Sequence, residues 1–194
     1  MKSFISGFLS VLLAAIIIAA LPTEADAEIY TDTLRLHILA ASDREEDQAL
    51  KLAVRDAILA EFSAELSTSS GIGEAKEVTE SLLAEIEERA EQVVAEAGFA
   101  YSVTAELSEE WYDTREYGEV TLPRGIYSSL IVRIGDGAGR NWWCVMYPPM
   151  CLDLATDAPS DDWAGGYTGE ELSLITGKYR VKFKLLEMIS DFAK

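Results

Sequence analysis

The sequence predicts an α+β fold: a single two-layer domain, with two amphipathic helices plus a C-terminal helix packed on a mostly antiparallel sheet. Three observations predict it. Two long stretches between residues 43 and 98 repeat their apolar residues every three or four positions, the period of a helix with one buried face. Shorter stretches around them alternate apolar and polar residues, the period of a strand with one buried face. A helix pair set among runs of strands places the helices on one face of a sheet whose strands are joined by short turns. The order read from the residues is β-α-α-β-β-β-β, followed by a terminal element.

The chain opens with Met1 and Lys2 and then runs from Phe4 to Leu21 almost without a polar group. Ala25-Asp26-Ala27 follows, a small-x-small site of the kind signal peptidase cuts, so residues 1–27 read as a secretory signal and Glu28 as the first residue of a domain over 28–194. An uncleaved anchor is the alternative, since the apolar run approaches the roughly 18 residues of a spanning helix. On either reading everything after Glu28 is expected outside the cytoplasm.

"TLRLHILA" (33–40) is a strand with Leu34, Leu36, Ile38 and Ala40 on one face. "SDREED" ends it, and Ser42 with Glu45, or Asp43 with Glu46, has capping-box spacing. Leu50, Val54, Ile58, Phe62 and Leu66 then form one apolar stripe of a helix. "STSSGIG" (67–73) breaks it. A second helix turns Val78, Leu82, Ile86, Ala90, Val93 and Ala97 inward and a glutamate-rich face outward, with Gly98 as its C-terminal cap. "FAYSVTAEL" (99–107) alternates strictly and is a strand. Residues 111–121 read as a further, partly exposed strand, "LPRG" (122–125) as a turn, and "IYSSLIVRI" (126–134) as a strand with Leu130, Val132 and Ile134 inward. "GDGAGR" leads into the strand-like "NWWCVMYPPMC" (141–151), and residues 152–169 read as irregular. From Gly177 onwards the alternation of Lys178, Arg180, Lys182 and Lys184 with apolar residues suggests a strand, whereas the unbroken length suggests a terminal helix, which is the preferred reading.

The net charge is −18, and residues 1–27 hold only Lys2, Glu24 and Asp26 of the charged side chains. Such a field repels nucleic acid and anionic lipid alike, which excludes both as ligands. Much of the acid sits on a solvated helix face and identifies no positive partner.

A search for catalytic and metal chemistry finds nothing. His37, the single histidine, could form a nucleophilic dyad with Cys144, giving a secreted hydrolase, but the chain has no nucleophile elbow and no local cysteine-protease signature. "GDGAG" (135–139) has no helix behind it to help hold a phosphate. Two cysteines and one histidine cannot fill a structural zinc site unaided, and Asp153, Asp157, Asp161 and Asp162 lack the order of a calcium loop. No cofactor, metal or small-molecule substrate is expected. In an exported chain, Cys144 and Cys151 favour a disulfide, whose closure would stabilise by about 2.5 kcal/mol in the chain-entropy model; two reduced buried cysteines are the alternative. On a strand Trp142 and Trp143 face opposite sides, so that one can pack in the core while the other anchors a partner; both in the core is the competing reading.

"LRLHILAASDREEDQALKLAVRDAIL" (34–59) and "LPRGIYSSLIVRIGDGAGRNWWCVMYPPMCLD" (122–153) resemble the two signature blocks of the stage II sporulation protein R family, and "VKFKLLE" (181–187) is similar to that family's C-terminal block. The positions that carry over are Asp43, Asp47, Gln48, Ala49, Lys51, Val54 and Arg55 in the first block. In the second they are Leu122, Pro123, Gly125, Tyr127, Ile134, Gly135, Gly139, Asn141 through Val145, Pro148, Pro149 and Cys151. Ala41 and Arg124 depart from the pattern. The resemblance implies a non-enzymatic signalling protein of sporulation, secreted by the forespore into the space between the forespore and mother-cell membranes. There it activates a membrane-embedded aspartic protease, which processes the mother-cell sigma factor precursor. Trp142, Trp143 and Asn141, with Asp43, Asp47 and Gln48 at the start of the first helix, are the candidate partner contacts.

Overall fold

The computed structural model of this 194-residue chain describes residues 2–19, 29–67, 69–117, 120–150 and 166–176. The chain begins with helix α1 (Lys2–Ala19), on which Phe8, Leu9, Val11, Leu13 and Ile16 are exposed. No helix among the described residues is long and apolar enough to cross a membrane. A helical turn at residues 29–31 leads into β1 (Leu34–Leu39), and α2 (Glu45–Ser67) and α3 (Ile72–Glu96) follow. Then come β2 (Val103–Tyr112), β3 (Arg115–Tyr117), β4 (Val120–Leu122), β5 (Gly125–Ile134), β6 (Asn141–Tyr147) and α4 (Gly169–Thr176).

Four strands form one sheet in the order β2-β5-β1-β6. The β2–β5 and β1–β6 pairs are antiparallel and the central β1–β5 pair is parallel, so this single α+β domain has a mostly antiparallel but mixed sheet. The parallel pair is possible because the chain between β1 and β5 includes both long helices, ample for a crossover. β3 and β4 pair as a separate two-stranded ribbon.

The α2/α3 layer covers one sheet face. Leu34, Leu36 and Ile38 of β1 and Leu130, Val132 and Ile134 of β5 meet Val54, Ile58, Ile86 and Ala90 there, with Cys144 and Met146 of β6. Each fully buried aliphatic side chain contributes roughly 1.5–3 kcal/mol. The opposite face carries a smaller apolar cluster: Tyr112, Tyr127 and Val145 from the sheet, Ile29 from the helical turn, Val120 and Leu122 of β4, and Tyr167, Leu174 and Ile175 around α4. β1 is therefore buried on both faces, although every second residue reads as polar in the sequence.

Element boundaries differ from the sequence reading in physically intelligible ways. Phe99 and Tyr101 alternate like strand residues but precede β2; their rings stack at 5.4 Å and pack against the rim of the helix-face core. The strand expected over 111–121 divides into the end of β2 and the short β3 and β4. Gly98 adopts φ +83° and donates to the Ala95 carbonyl at 2.9 Å, the helix-ending role expected of it. α4 occupies residues that the periodicity did not assign. The terminal helix expected from Gly177 and most of the irregular span at 152–169 lie outside the described residues.

Candidate functional site

β1 presents Arg35 and His37 to the face opposite the long helices, between the apolar residues that face α2 and α3. Both are buried. His37 Nδ1 lies 2.6 Å from Glu110 Oε2, and the imidazole stacks on Trp143 with ring centres 5.6 Å apart. The guanidinium carbon of Arg115 sits 3.9 Å from the centre of the same indole. Tyr112 donates to Glu110 at 3.3 Å and shares a 2.8 Å hydrogen bond with Ser129. These groups border an open cleft of about 230 Å³, lined by His37, Glu110, Trp111, Tyr112, Asp113, Arg115, Asn141 and Trp143.

Beside the cleft Arg35 is fully buried under aromatic rings. Its guanidinium carbon is 3.9 Å from the centre of Tyr112 and 4.9 Å from that of Tyr127, and Nη2 donates to the Tyr117 hydroxyl at 2.5 Å. Buried guanidinium groups stack on aromatic faces because they are planar and weakly hydrated. Burial pushes the hydroxyls of Tyr112, Tyr117 and Tyr127 above their ordinary range, so they remain protonated.

A second polar cluster joins the end of β1, the start of α2 and the loop between β5 and β6. The Asp47 carboxylate is 1% exposed and accepts from Ser42 Oγ at 2.5 Å, Arg44 Nε at 3.1 Å and the Tyr101 hydroxyl at 3.1 Å. The Ser42 hydrogen bond, with those of Arg44 and Tyr101, holds its pKa below the usual carboxylate value despite the opposing effect of burial. Lys51 is buried too, donating to Gln48 Oε1 at 2.7 Å and to the Arg140 carbonyl at 2.9 Å; burial, helped by Arg140, lowers its pKa. Gln48 reaches the Ser42 carbonyl at 2.9 Å, and Asp43 accepts from the Arg140 backbone at 2.6 Å. Gly139 passes so close to this junction that a Cβ would collide with the Ser42 carbonyl.

The candidate contacts therefore fall into two places. Asn141 and Trp143 line the cleft. Trp142, on the other side of β6, packs against the helix-face core with the Arg55 guanidinium 5.1 Å from its ring. Neither tryptophan is fully buried and neither is fully exposed. Asp43 and Gln48 reach the Arg140 backbone in the loop before β6, whereas the Asp47 carboxylate is taken up by Ser42, Arg44 and Tyr101 and has no surface left to offer a partner. Cys144 is buried on the helix face and disulfide-bonded; Cys151 lies outside the described residues.

Pairing of β1 with β6 sets His37 opposite Trp143 and Leu36 opposite Cys144. The pleat points the imidazole and the sulfur to opposite faces, so the Cys144–His37 dyad of the hydrolase reading is not assembled. Among the described residues no group of three or more His, Cys, Asp or Glu could hold a metal ion.

Sequence reasoning missed Arg35, Glu110, Trp111 and Arg115. Arg35 fell in the polar phase of a strand taken to have one wet face. Glu110 and Arg115 acquire meaning only through side-chain contacts between elements distant in sequence, with His37 and Trp143 respectively. Trp111 gave one available signal: it continues the apolar phase of Val103, Ala105 and Leu107.

Comparison with known proteins returns one consistent family. The sequence profile of stage II sporulation protein R matches residues 30–157. The chain is 36% identical over 179 residues to the stage II sporulation protein R of Bacillus subtilis (strain 168), covering 81% of this chain and 80% of that protein. No solved structure gives a significant match.

Proposed function

We propose an intercompartmental signalling role on one premise: the chain belongs to the stage II sporulation protein R family, and its function is in sporulation. In this reading the forespore exports the protein into the space between the two membranes, where it activates a membrane-embedded aspartic protease of the mother cell. The protease then removes the pro-segment of the mother-cell sigma factor precursor. The protein acts by binding and not by catalysis.

Family membership carries the proposal, and three features support it. The apolar α1, with exposed side chains, precedes an Ala25-Asp26-Ala27 site, which suits an export signal removed after Ala27. The acidic chain is unsuited to nucleic acid. Asn141 and Trp143 lie at an open, polar cleft where a protein partner can reach them, and Trp142 and Asp43 are the other candidate contacts in this reading. A Cys144–Cys151 disulfide would stiffen the segment after β6.

Deleting the gene and following the sigma factor precursor through sporulation tests the proposal. The precursor should persist uncleaved, and restoring the gene in the forespore alone should restore cleavage. Normal cleavage in the deletion strain would refute it.

A further inference from the structure

The helix layer does not reach the end of the sheet. Along β2 and β5 the residues facing α2 and α3 pair as Val103 with Ile134, Ala105 with Val132 and Leu107 with Leu130. Two further pairs continue on the same face beyond the helices: Glu109 with Ser128, then Trp111 with Ile126. Trp111 is 64% exposed and Ile126 is 55% exposed. Outside α1 the only other large apolar side chain so exposed among the described residues is Leu52, alone on α2. Directly paired residues on one sheet face stand about 5 Å apart, so Trp111 and Ile126 make one continuous apolar surface. Isolated exposed apolar residues need no explanation, whereas a bare tryptophan beside an isoleucine is the composition of an interface anchor.

The surroundings indicate what fits it. Glu109 stands exposed beside Trp111 on the same face, and Asp113 is exposed just beyond. Arg124, exposed before β5, is the nearby cation on the other side. Around the strand edge Trp111 also borders the cleft, where Glu110 and Asp113 add acid and Arg115 is engaged with Trp143. With the chain at −18 overall, the site favours an apolar side chain accompanied by a positive charge and disfavours an anionic membrane surface.

We infer that the exposed Trp111–Ile126 pair at the bare end of the β2–β5 face is the docking surface for a protein segment carrying a large apolar side chain next to a Lys or Arg. This rests on the activator reading above and places that segment on the extracytoplasmic side of the protease.

The test uses the full chain, expressed with an affinity tag in the forespore of the deletion strain. Chain abundance, protease recovered with the chain and precursor cleavage are measured together. Trp111→Ala and Ile126→Ala should each reduce protease recovery at least about tenfold, the usual effect of losing an aromatic or apolar anchor, at unchanged chain abundance. Glu109→Lys should weaken recovery as well, and Leu52→Ala should leave it at the wild-type level. Should Trp111→Ala deplete the chain, Trp111→Phe and Ile126→Ala decide, since neither removes a buried group. Full recovery and cleavage in the Trp111 and Ile126 variants, with a functional wild type, would overturn this surface and leave the activator reading intact. A wild-type chain that neither recovers the protease nor supports cleavage would overturn both. Loss in Trp111→Ala only of chain-to-chain crosslinking, or only of binding to phosphatidylglycerol vesicles, would make the occupant a second copy or lipid and overturn the proposal.

Discussion

Asp47 is a carboxylate withdrawn from water and kept ionised by three donors. Its pKa in the folded chain is lowered, chiefly by the Ser42 hydrogen bond, so its stabilising effect is fully present above the ordinary unfolded value of about 4. That effect is lost as pH falls through the folded value. Replacing Asp47 by Ala should cost about 1.5–3 kcal/mol in urea unfolding near neutrality. The stability gap between wild type and Asp47→Asn should shrink when the pH is taken from 6 to about 3; a constant gap would mean that the folded state gains nothing from the charge. Trp142 and Trp143 call for a different expectation from that of one core residue and one free anchor. Each is half-buried and each packs against an arginine, Trp142 with Arg55 and Trp143 with Arg115. Truncating either to Ala should cost about 2–3 kcal/mol, less than the ~3–5 kcal/mol of a wholly buried tryptophan. Unchanged unfolding of a Trp143→Ala chain would show that its contacts with His37 and Arg115 contribute nothing.

At the scale of elements, what was legible is what repeats. α2 and α3 run for more than twenty residues with an apolar residue at each turn, β1 alternates from Leu34 to Ile38, and β5 keeps Leu130, Val132 and Ile134 in one phase. Their type and most of their inward residues therefore follow from period, although Ile126 in the inward phase of β5 is exposed. α4 has eight residues, too few to establish a period; its one sequence mark is the Thr168–Glu171 spacing, in which the Glu171 carboxylate accepts from the Thr168 backbone at 2.5 Å. β3 and β4, three residues each, carry no period at all. Arg35 and His37 were obscured for the opposite reason: their alternation was read correctly, but a polar phase says nothing of a second layer that covers it. The link between the start of α2 and the loop before β6 was likewise invisible, because it joins residues about ninety positions apart through Lys51, Asp43 and the Arg140 backbone. Gly139 is its tightest point. Gly139→Ala should force the loop away from Ser42 and lower stability by about 1–3 kcal/mol, whereas Gly73→Ala, with open space around it, should be tolerated. Equal melting temperatures for the two variants would show that the loop yields without cost.

For the whole molecule, the sheet order and the parallel β1–β5 pair lay beyond the sequence, since strand period fixes faces but not neighbours. The placement of the folded body along the chain leads to the last prediction. α1 exposes its apolar side chains, which costs about 25 cal/mol per Å² of such surface left in water and suits a helix destined for removal. The second apolar cluster begins with Ile29, fully buried, whose carbonyl accepts from the Thr33 hydroxyl at 2.6 Å. A cut after Ala27 leaves Glu28 as a single residue ahead of that anchor. Peptide mapping of exported chain should find the N-terminus at Glu28. Ile29→Ala, which opens a cavity in the second apolar cluster without altering the cut site, should leave the N-terminus in place while lowering stability by about 2–5 kcal/mol. Recovery of full-length, membrane-bound chain alone would show instead that α1 is retained as an anchor. Unchanged stability in Ile29→Ala would show that the folded body begins further along the chain.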